Sequence, residues 1–546
     1  MQLRGCGTGD RTGDSMPGGS TIVSHEFPKL FEIRLRTVAE LRVKICIMQK
    51  GSPLVGTLLL PESALWKTLP AGIGAIMSRL MQCGLMSWLI LTQTMSLGVT
   101  ELSASEVDAK EGTQTNHQAP FPPLREFDEF RQSRVVDRVK LALADQVPAR
   151  PLGTDSPLVE SYLLEGKLAE GNAALTARLQ AKPNDDQARF GLGMVQFFQG
   201  FEHLTAGLYR HGLRTERLAR NSLPQLSATI PQNPNPQPIS YAELRVMLQK
   251  FVDDLNAAEA TLAAIQAPDV KLPLHVGLIQ LDATGQGKLV SGKMILVQNR
   301  FPFTPADIDS FVVGFDRGDV CWLRGYLHLL AAWGEVLLAV DGQQMFETAG
   351  HLFFENPVTP HAYLLEEPRD LEAIMRFDTR MIFDIIAYLH VMRFPLKEPE
   401  RMKLSLQHLE SAVAMSREMW TFYLQETDDD HEWIPNPKQT GVLQRQVTEP
   451  MIATWKEVLD EGDLVLKGER LLPFWRGTPA KTRGINLRRV FTEPKPLDPF
   501  LWLQGTAATP YLENGVISRF ADPQFGANLE KIFGPQQFWG FALWFN

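Results

Sequence analysis

Residues 156–213 read SPLVESYLLEGKLAEGNAALTARLQAKPNDDQARFGLGMVQFFQGFEHLTAGLYRHGL, and this stretch decides the fold class. Apolar residues recur there at three- and four-residue spacing, the period of an amphipathic helix. The runs are interrupted near Gly166, Pro183 and Gly200, and glycine and proline are the residues that end helices. The pattern predicts short helices folded back on one another. Working outward, a Pro/Asn-rich loop at 231–238 ends at Ser240, with Glu243 three residues on. That pair is a capping box and predicts a helix running to about Ile265. After Pro268 the period shortens: LHVGLIQLD (274–282) and KLVSGKMILVQ (288–298) read as two strands around the turn 283–287, a β-hairpin with the glycines its turn needs. Helices resume at Thr304–Pro305, a cap followed by proline at the first helical position, and are expected at 316–340, 369–392, 405–424 and 450–467. Beyond them the chain is rich in proline and glycine, with an extended piece at 499–504, and closes on FWGFALWFN (538–546), whose aromatics are expected in the core. The fold class expected is therefore mainly α, with paired N-terminal helices on a larger helical domain and a small β-hairpin insertion.

Residues 155–213 resemble tetratricopeptide repeats. Pro183 stands at the family's closing proline, Leu175 and Leu179 fall on the second helix, Gly171 takes the small-residue position, and Leu158 and Tyr162 take inward positions on the first helix. A second unit starts near Asp186, with Leu192 and Gly193 as its hydrophobic–small pair. The repeat's tryptophan position is not filled, and the second unit lacks a closing proline. The resemblance implies helix pairs that stack to bury their apolar faces and present a concave groove, and hence a protein partner. An ordinary pair of α-hairpins inside a larger helical domain is the alternative reading. The segments FDRGDVCWLRGYLHLL (315–330) and ETDDDHEWIPNPKQTG (426–441) also resemble stretches of a family of exported bacterial proteins, which implies a shared role and supplies no reaction.

On the N-terminal side, Arg79 precedes an apolar run from Leu80 to Val99 and a small-residue exit at Ser103, Ala104 and Ser105. These are the three parts of a secretory signal peptide, placed at 77–109, with translation expected to begin at Met77. An uncleaved anchor, the only route to a membrane, and a buried helix are the alternatives; Ser87, Thr92, Gln93, Thr94 and Ser96 interrupt a length marginal for an anchor. Residues 1–76 carry no sustained helical or strand period on this reading and are set aside as untranslated or disordered. The expected organisation continues with a Pro-rich linker and a helix at 110–154, the repeat-like region at 155–266, the hairpin at 267–300, a helical domain at 301–470 and the C-terminal region at 471–546.

The net charge is −9, and an acidic surface excludes a nucleic-acid partner, which would want a basic one. Of four cysteines only Cys321 lies beyond residue 109, so the exported chain forms no internal disulfide. That suits the periplasm or a bacterial cell surface better than a small secreted scaffold, which would be cysteine-dense. The sequence contains no phosphate-binding glycine loop ending in Lys-Ser/Thr, no His-Glu-x-x-His, no Cys-x-x-Cys and no Gly-x-Ser-x-Gly.

Four groups of residues carry possible chemistry. The acidic segment 426–432 places Asp428, Asp430, His431 and Glu432 where a divalent cation could bind, since carboxylates suit hard ions and histidine softer ones. Solvated surface is the competing account, and Trp433 with the stiff Ile434–Lys438 stretch argues against a floppy loop. The turn at Asp282–Gly287 follows the alternate-oxygen pattern of a calcium loop, but Lys293 stands where a glutamate would close it, and a hairpin turn is the expected role. On the helix at 316–340, Cys321, Arg324, His328 and Glu335 share one face, with His351 and His390 in neighbouring helices. A structural ion pair between helices is the first reading of this cluster. Finally, the 471–476 and 484–489 segments mix aromatics with arginine and are expected to pack the C-terminal region or line a groove. The function expected is binding or scaffolding in a bacterial envelope without a cofactor. The alternative is a metal-dependent hydrolase built on 426–432.

Overall fold

A computed structural model of the chain describes residues 32–35, 40–49, 52–61, 156–215, 230–292, 312–366, 379–429, 431–441, 446–476, 483–534 and 538–545. The chain divides into two units, Met1–Ile76 and Met77–Asn546. The expected signal segment, the 110–154 linker, the Thr304–Pro305 helix start and Asp430 lie outside the described residues.

In the first unit, β1 (Glu32–Leu35), β2 (Glu40–Gln49) and β3 (Ser52–Pro61) form an antiparallel sheet in that order. Leu41 pairs with Leu60 and Gln49 with Ser52. This differs from the expectation of no strand period there. Leu41, Val43 and Ile45 alternate with Arg42 and Lys44 before the apolar run 45–48, and that two-residue period is the strand signal.

The second unit is mostly helical. Its first helices are α1 (Leu158–Glu165), α2 (Leu168–Ala181) and α3 (Asp186–Arg210). Gly166 ends α1 in the left-handed conformation at φ 65°, and the break at Pro183 is observed. No break occurs at Gly200, where the backbone stays helical and a Cβ would lie 3.2 Å from Asp254 Cβ. That glycine lets α4 (Tyr241–Ala263) approach rather than ending α3. The Ser240–Glu243 capping box is present at the start of α4. Leu158 is 46% exposed, whereas Val159 and Leu163 are buried, so α1 turns its apolar face one residue later than the repeat-like register places it.

Four short strands follow: β4 (Leu272–Leu274), β5 (Gln280–Leu281), β6 (Val290–Ser291) and β7 (Val313–Phe315). The antiparallel β5–β6 pair falls within the expected hairpin, whose residues 293–298 lie outside the described residues, while β4 pairs with the more distant β7. Next come α5 (Arg317–Ala339), α6 (Gln343–Ala349), α7 (Thr379–His390), α8 (Glu400–Tyr423) and α9 (Glu449–Leu466). A small antiparallel sheet of β8 (Leu472–Pro473), β9 (Arg483–Ile485) and β10 (Leu512–Asn514) is accompanied by α10 (Leu487–Thr492) and α11 (Pro499–Gln504). The 499–504 piece is thus a helix and not extended. Asp498 accepts from Leu501 N and Pro499 opens the first turn, which is a helix start read by its cap and proline. The chain closes with α12 (Pro523–Phe533) and α13 (Phe538–Phe545). Among the described residues no helix is long and apolar enough to cross a membrane.

The core centres on α5, which packs along α4 and α8. The C-terminal aromatics enter it as expected. Phe541, Trp544 and Phe545 are buried, and Trp420 meets Phe545 edge-on at 4.7 Å between ring centres. Aromatic burial supplies a large apolar area, and each polar edge then needs a partner. Trp322 Nε1 donates to Trp544 O at 2.7 Å, and Trp455 Nε1 donates to Ser416 Oγ at 3.2 Å.

The start of α5 is where packing is tightest. A Cβ added at Gly318 would lie 2.3 Å from the Tyr423 ring, so only glycine fits beneath it. Gly318→Ala is expected to lower stability by about 1–3 kcal/mol, the range for overpacking, measured by urea unfolding. Gly462→Ala, inside α9 with nothing within 4 Å of the added carbon, is expected to raise stability by up to about 1 kcal/mol through helix propensity alone.

Candidate functional site

The phenol of Tyr423, fully buried at the last residue of α8, donates a 2.6 Å hydrogen bond to Asp319 Oδ1. Asp319 is in the first turn of α5, and Asp316 caps that helix: Gly318 N and Asp319 N donate to Asp316 Oδ1 at 2.8 and 3.3 Å, and Asp316 N donates to Asp319 Oδ2 at 3.0 Å. This is a capping box made of two aspartates. A helix N-terminus favours negative charge, but here both carboxyls are almost wholly removed from water, at 7% and 1% exposure.

The segment after α8 brings further carboxyls to the same place. Carboxylate oxygens of Asp316, Glu426 and Glu432 lie within 4.8 Å of one another, and Glu426 shares a hydrogen bond with Asp316. The loop that carries them is knit by its own polar groups. Asn436 Nδ2 donates to Tyr423 O at 2.8 Å, Gln439 Nε2 donates to Asp428 O at 2.8 Å and to Glu426 Oε2 at 3.3 Å, and Thr440 N donates to Asp429 Oδ1 at 2.6 Å. His431 adopts the left-handed conformation at φ 65°, where a residue with a side chain is uncommon. Trp433 and Ile434 are buried, with the Trp433 ring 5.6 Å from Trp322 and 6.1 Å from Phe315. The loop is therefore anchored to the core at the base of α5, as the stiff stretch after Trp433 suggests.

Burial without a countercharge shifts these acids upward. Among the described residues no ion pair reaches Asp316, Asp319 or Glu426. Loss of water, then the Asp316 charge, pushes Glu426 up to about 10. Burial and the neighbouring Asp316 charge hold Asp319 well above the usual carboxylate range, and burial raises Asp316 as well. A buried carboxylate is costly unless paired or neutralised. Two arrangements satisfy the cluster: protons shared among the carboxyls, or a hard cation held between them. Calcium sits about 2.4 Å from each oxygen ligand and so spans oxygens up to about 4.8 Å apart. Asp316, Glu426 and Glu432 fit that reach.

Only part of the sequence-level site converges. Of the four expected ligands, Glu432 reaches the cluster. Asp428 instead forms an ion pair with Lys271, His431 is exposed, and Asp430 lies outside the described residues. Glu426 belongs to the same acidic segment, but Asp316 and Asp319 were not among the expected ligands. Their signal is present as Asp-x-x-Asp opening an apolar helix, a capping-box spacing that reads as local structure and gives no hint of a partner loop.

The polar face of α5 does a different job. Arg324 donates from Nε and Nη2 to Glu259 Oε1 at 3.0 and 2.8 Å, and Glu335 pairs with Arg401 at 2.8 Å. His328 Nδ1 lies 3.0 Å from His408 Nδ1, and its Nε2 lies 3.5 Å from Glu259 Oε1. Hydrogen bonds from His328 and from Arg324 hold Glu259 down at about 2, and burial holds His408 down at about 4. These contacts tie α5 to α4 and α8. His351 does not converge there. It lies 3.2 Å from Asp384 instead. Cys321 is buried, and burial pushes its thiol up to about 12, which disfavours the thiolate. Asp282 accepts from Thr284 N, Gly285 N and Gly287 N at 3.1, 2.9 and 2.7 Å, the work of a turn residue. Arg488 and Arg489 pair with Glu410, Glu493 and Glu513.

Fold and site thus define a helical protein with a buried carboxylate cluster at the joint of a long helix and a knotted acidic loop. No protein-family model matches the chain, and neither a curated protein nor a solved structure matches it.

The cluster gives the chain a signed pH dependence. Glu426 keeps its proton to about 10 when folded, against 4.5 ordinarily, so the stability it contributes is complete below about 4.5 and is lost as pH rises toward 10. In chelator, the melting temperature is expected to fall from about pH 6 to about pH 9, and Glu426→Gln is expected to flatten that slope. Equal slopes in the two proteins would contradict the assignment.

Proposed function

We propose that this chain is an exported helical binding protein of a bacterial envelope, and that Asp316, Glu426 and Glu432 hold a hard divalent cation that locks the 426–441 loop onto α5. The observation that carries the cation is the meeting of three carboxylates from two separate segments. Binding rather than turnover is favoured by burial. A catalytic ion must keep a position open to water or substrate, whereas Asp316 and Glu432 are 7% and 2% exposed. The metal-dependent hydrolase reading draws on the same carboxylates, of which Glu426 alone is partly exposed.

The scaffold reading draws on the helix pairs at 158–210. Added Cβ atoms at Gly171, Gly191 and Gly193 would lie within 3 Å of Tyr162, Val159 and Leu262, so these glycines permit the close helix contacts on which tetratricopeptide-like packing depends. A protein partner in the resulting groove, and an address in the periplasm or at the cell surface given by the 77–109 segment, complete the proposal.

The test is a thermal-shift series on the full chain, first in EDTA and then in Ca²⁺, Mg²⁺ or Zn²⁺, alongside Glu426→Gln and Glu432→Gln. A ligand that binds only the folded state adds about 2.7 kcal/mol at a hundredfold excess over Kd. Ca²⁺ is expected to raise the melting temperature of the wild type and leave both variants unmoved. No shift with a hard cation, or an equal shift in the variants, would overturn the cation.

A further inference from the structure

We propose a second and independent metal site in which His328 Nδ1 of α5 and His408 Nδ1 of α8 bind one borderline divalent ion, Cu²⁺, Ni²⁺ or Zn²⁺. The two nitrogens are 3.0 Å apart. With metal–nitrogen bonds of about 2.0–2.1 Å, two ligands on one ion lie about 2.9 Å apart at a right angle and about 3.3 Å apart at a tetrahedral one. The observed separation falls between these limits.

The surroundings select the tautomer that such a site requires. A ligating nitrogen must be free of its proton. The His328 Nε2 edge faces Glu259 Oε1 at 3.5 Å, an orientation that favours a proton on Nε2 and a lone pair on Nδ1. Arg324 fixes Glu259 by two hydrogen bonds to the same oxygen. A metal-binding histidine whose other nitrogen donates to a carboxylate, itself held in place, is the recurrent outer arrangement of protein metal sites. His328 and Glu259 keep 14% and 19% of their side-chain surface, so water can complete the coordination. Imidazole suits borderline ions, and carboxylate suits hard ones, which separates this site from the Asp316 cluster by chemistry as well as by position. An ion here would bridge α5 and α8 directly.

The competing account is a plain hydrogen bond in which His408 Nδ1–H donates to His328 Nδ1 and no ion enters. Cu²⁺ titration of the full, untagged chain distinguishes the two, read by electron paramagnetic resonance and by melting temperature. The expected result is one tight equivalent with hyperfine structure from two nitrogens. His408→Gln and His328→Gln should abolish it, Glu259→Gln should weaken it about 10–100-fold, and Glu426→Gln should leave it intact. The chain has 11 histidines, so the variants are essential. Undiminished binding in both histidine variants would overturn the site. Absence of the nitrogen signature in the wild type would do the same without depending on how any variant folds.

Discussion

The hydrogen bond from Tyr423 to Asp319 joins the end of one long helix to the start of another in a place without water. Much of the second unit follows from it. The Tyr423 ring lies so close to the backbone of α5 that residue 318 must be glycine. Its carbonyl accepts from Asn436, which begins the tie that holds the following loop. Because α8 ends there, Glu426 emerges beside Asp316, and the chain then returns Glu432 to the same spot through the turn at His431. A phenol that hydrogen-bonds a buried carboxylate would be a weak joint alone. Buried together with Trp420, Trp433 and Ile434, it fixes how α5, α8 and the loop meet.

Local structure was legible because its causes are local. Ser240 and Glu243 cap α4, and the apolar period of 316–340 returns as α5 bounded by Asp316 and Val340. The aromatics at the C-terminus pack in the core as their apolar bulk requires. Misreadings came where one residue type serves two purposes. Gly200 looks like a helix breaker and instead lets α4 approach α3. Asp498–Pro499 looks like the edge of a loop and starts a helix. The short alternation at 41–45 is a strand signal that the glycine-rich start of the chain obscures.

The site was legible only in half. Glu426 and Glu432 sit at the two ends of the acidic run that stood out in the sequence, but their partners lie more than a hundred residues away at the cap of α5. Spacing within a segment carries no information about which distant helix start it will meet. The same limit applies to His328: its position on a polar face was evident, while Glu259 and His408 come from two other helices. The middle of the acidic run goes elsewhere, Asp428 to Lys271 and Asp429 to Thr440.

Carboxyls gathered out of water cannot all stay charged, so the cluster holds either protons or a cation. The account then predicts exchange between the two, since binding a cation to protonated ligands must release protons. Calorimetric titration of Ca²⁺ into the chelator-treated full chain at neutral pH, repeated in buffers of different ionisation enthalpy, counts those protons. Release close to one proton per bound cation is the predicted result. Binding whose heat is independent of the buffer, or no binding at all, would contradict it.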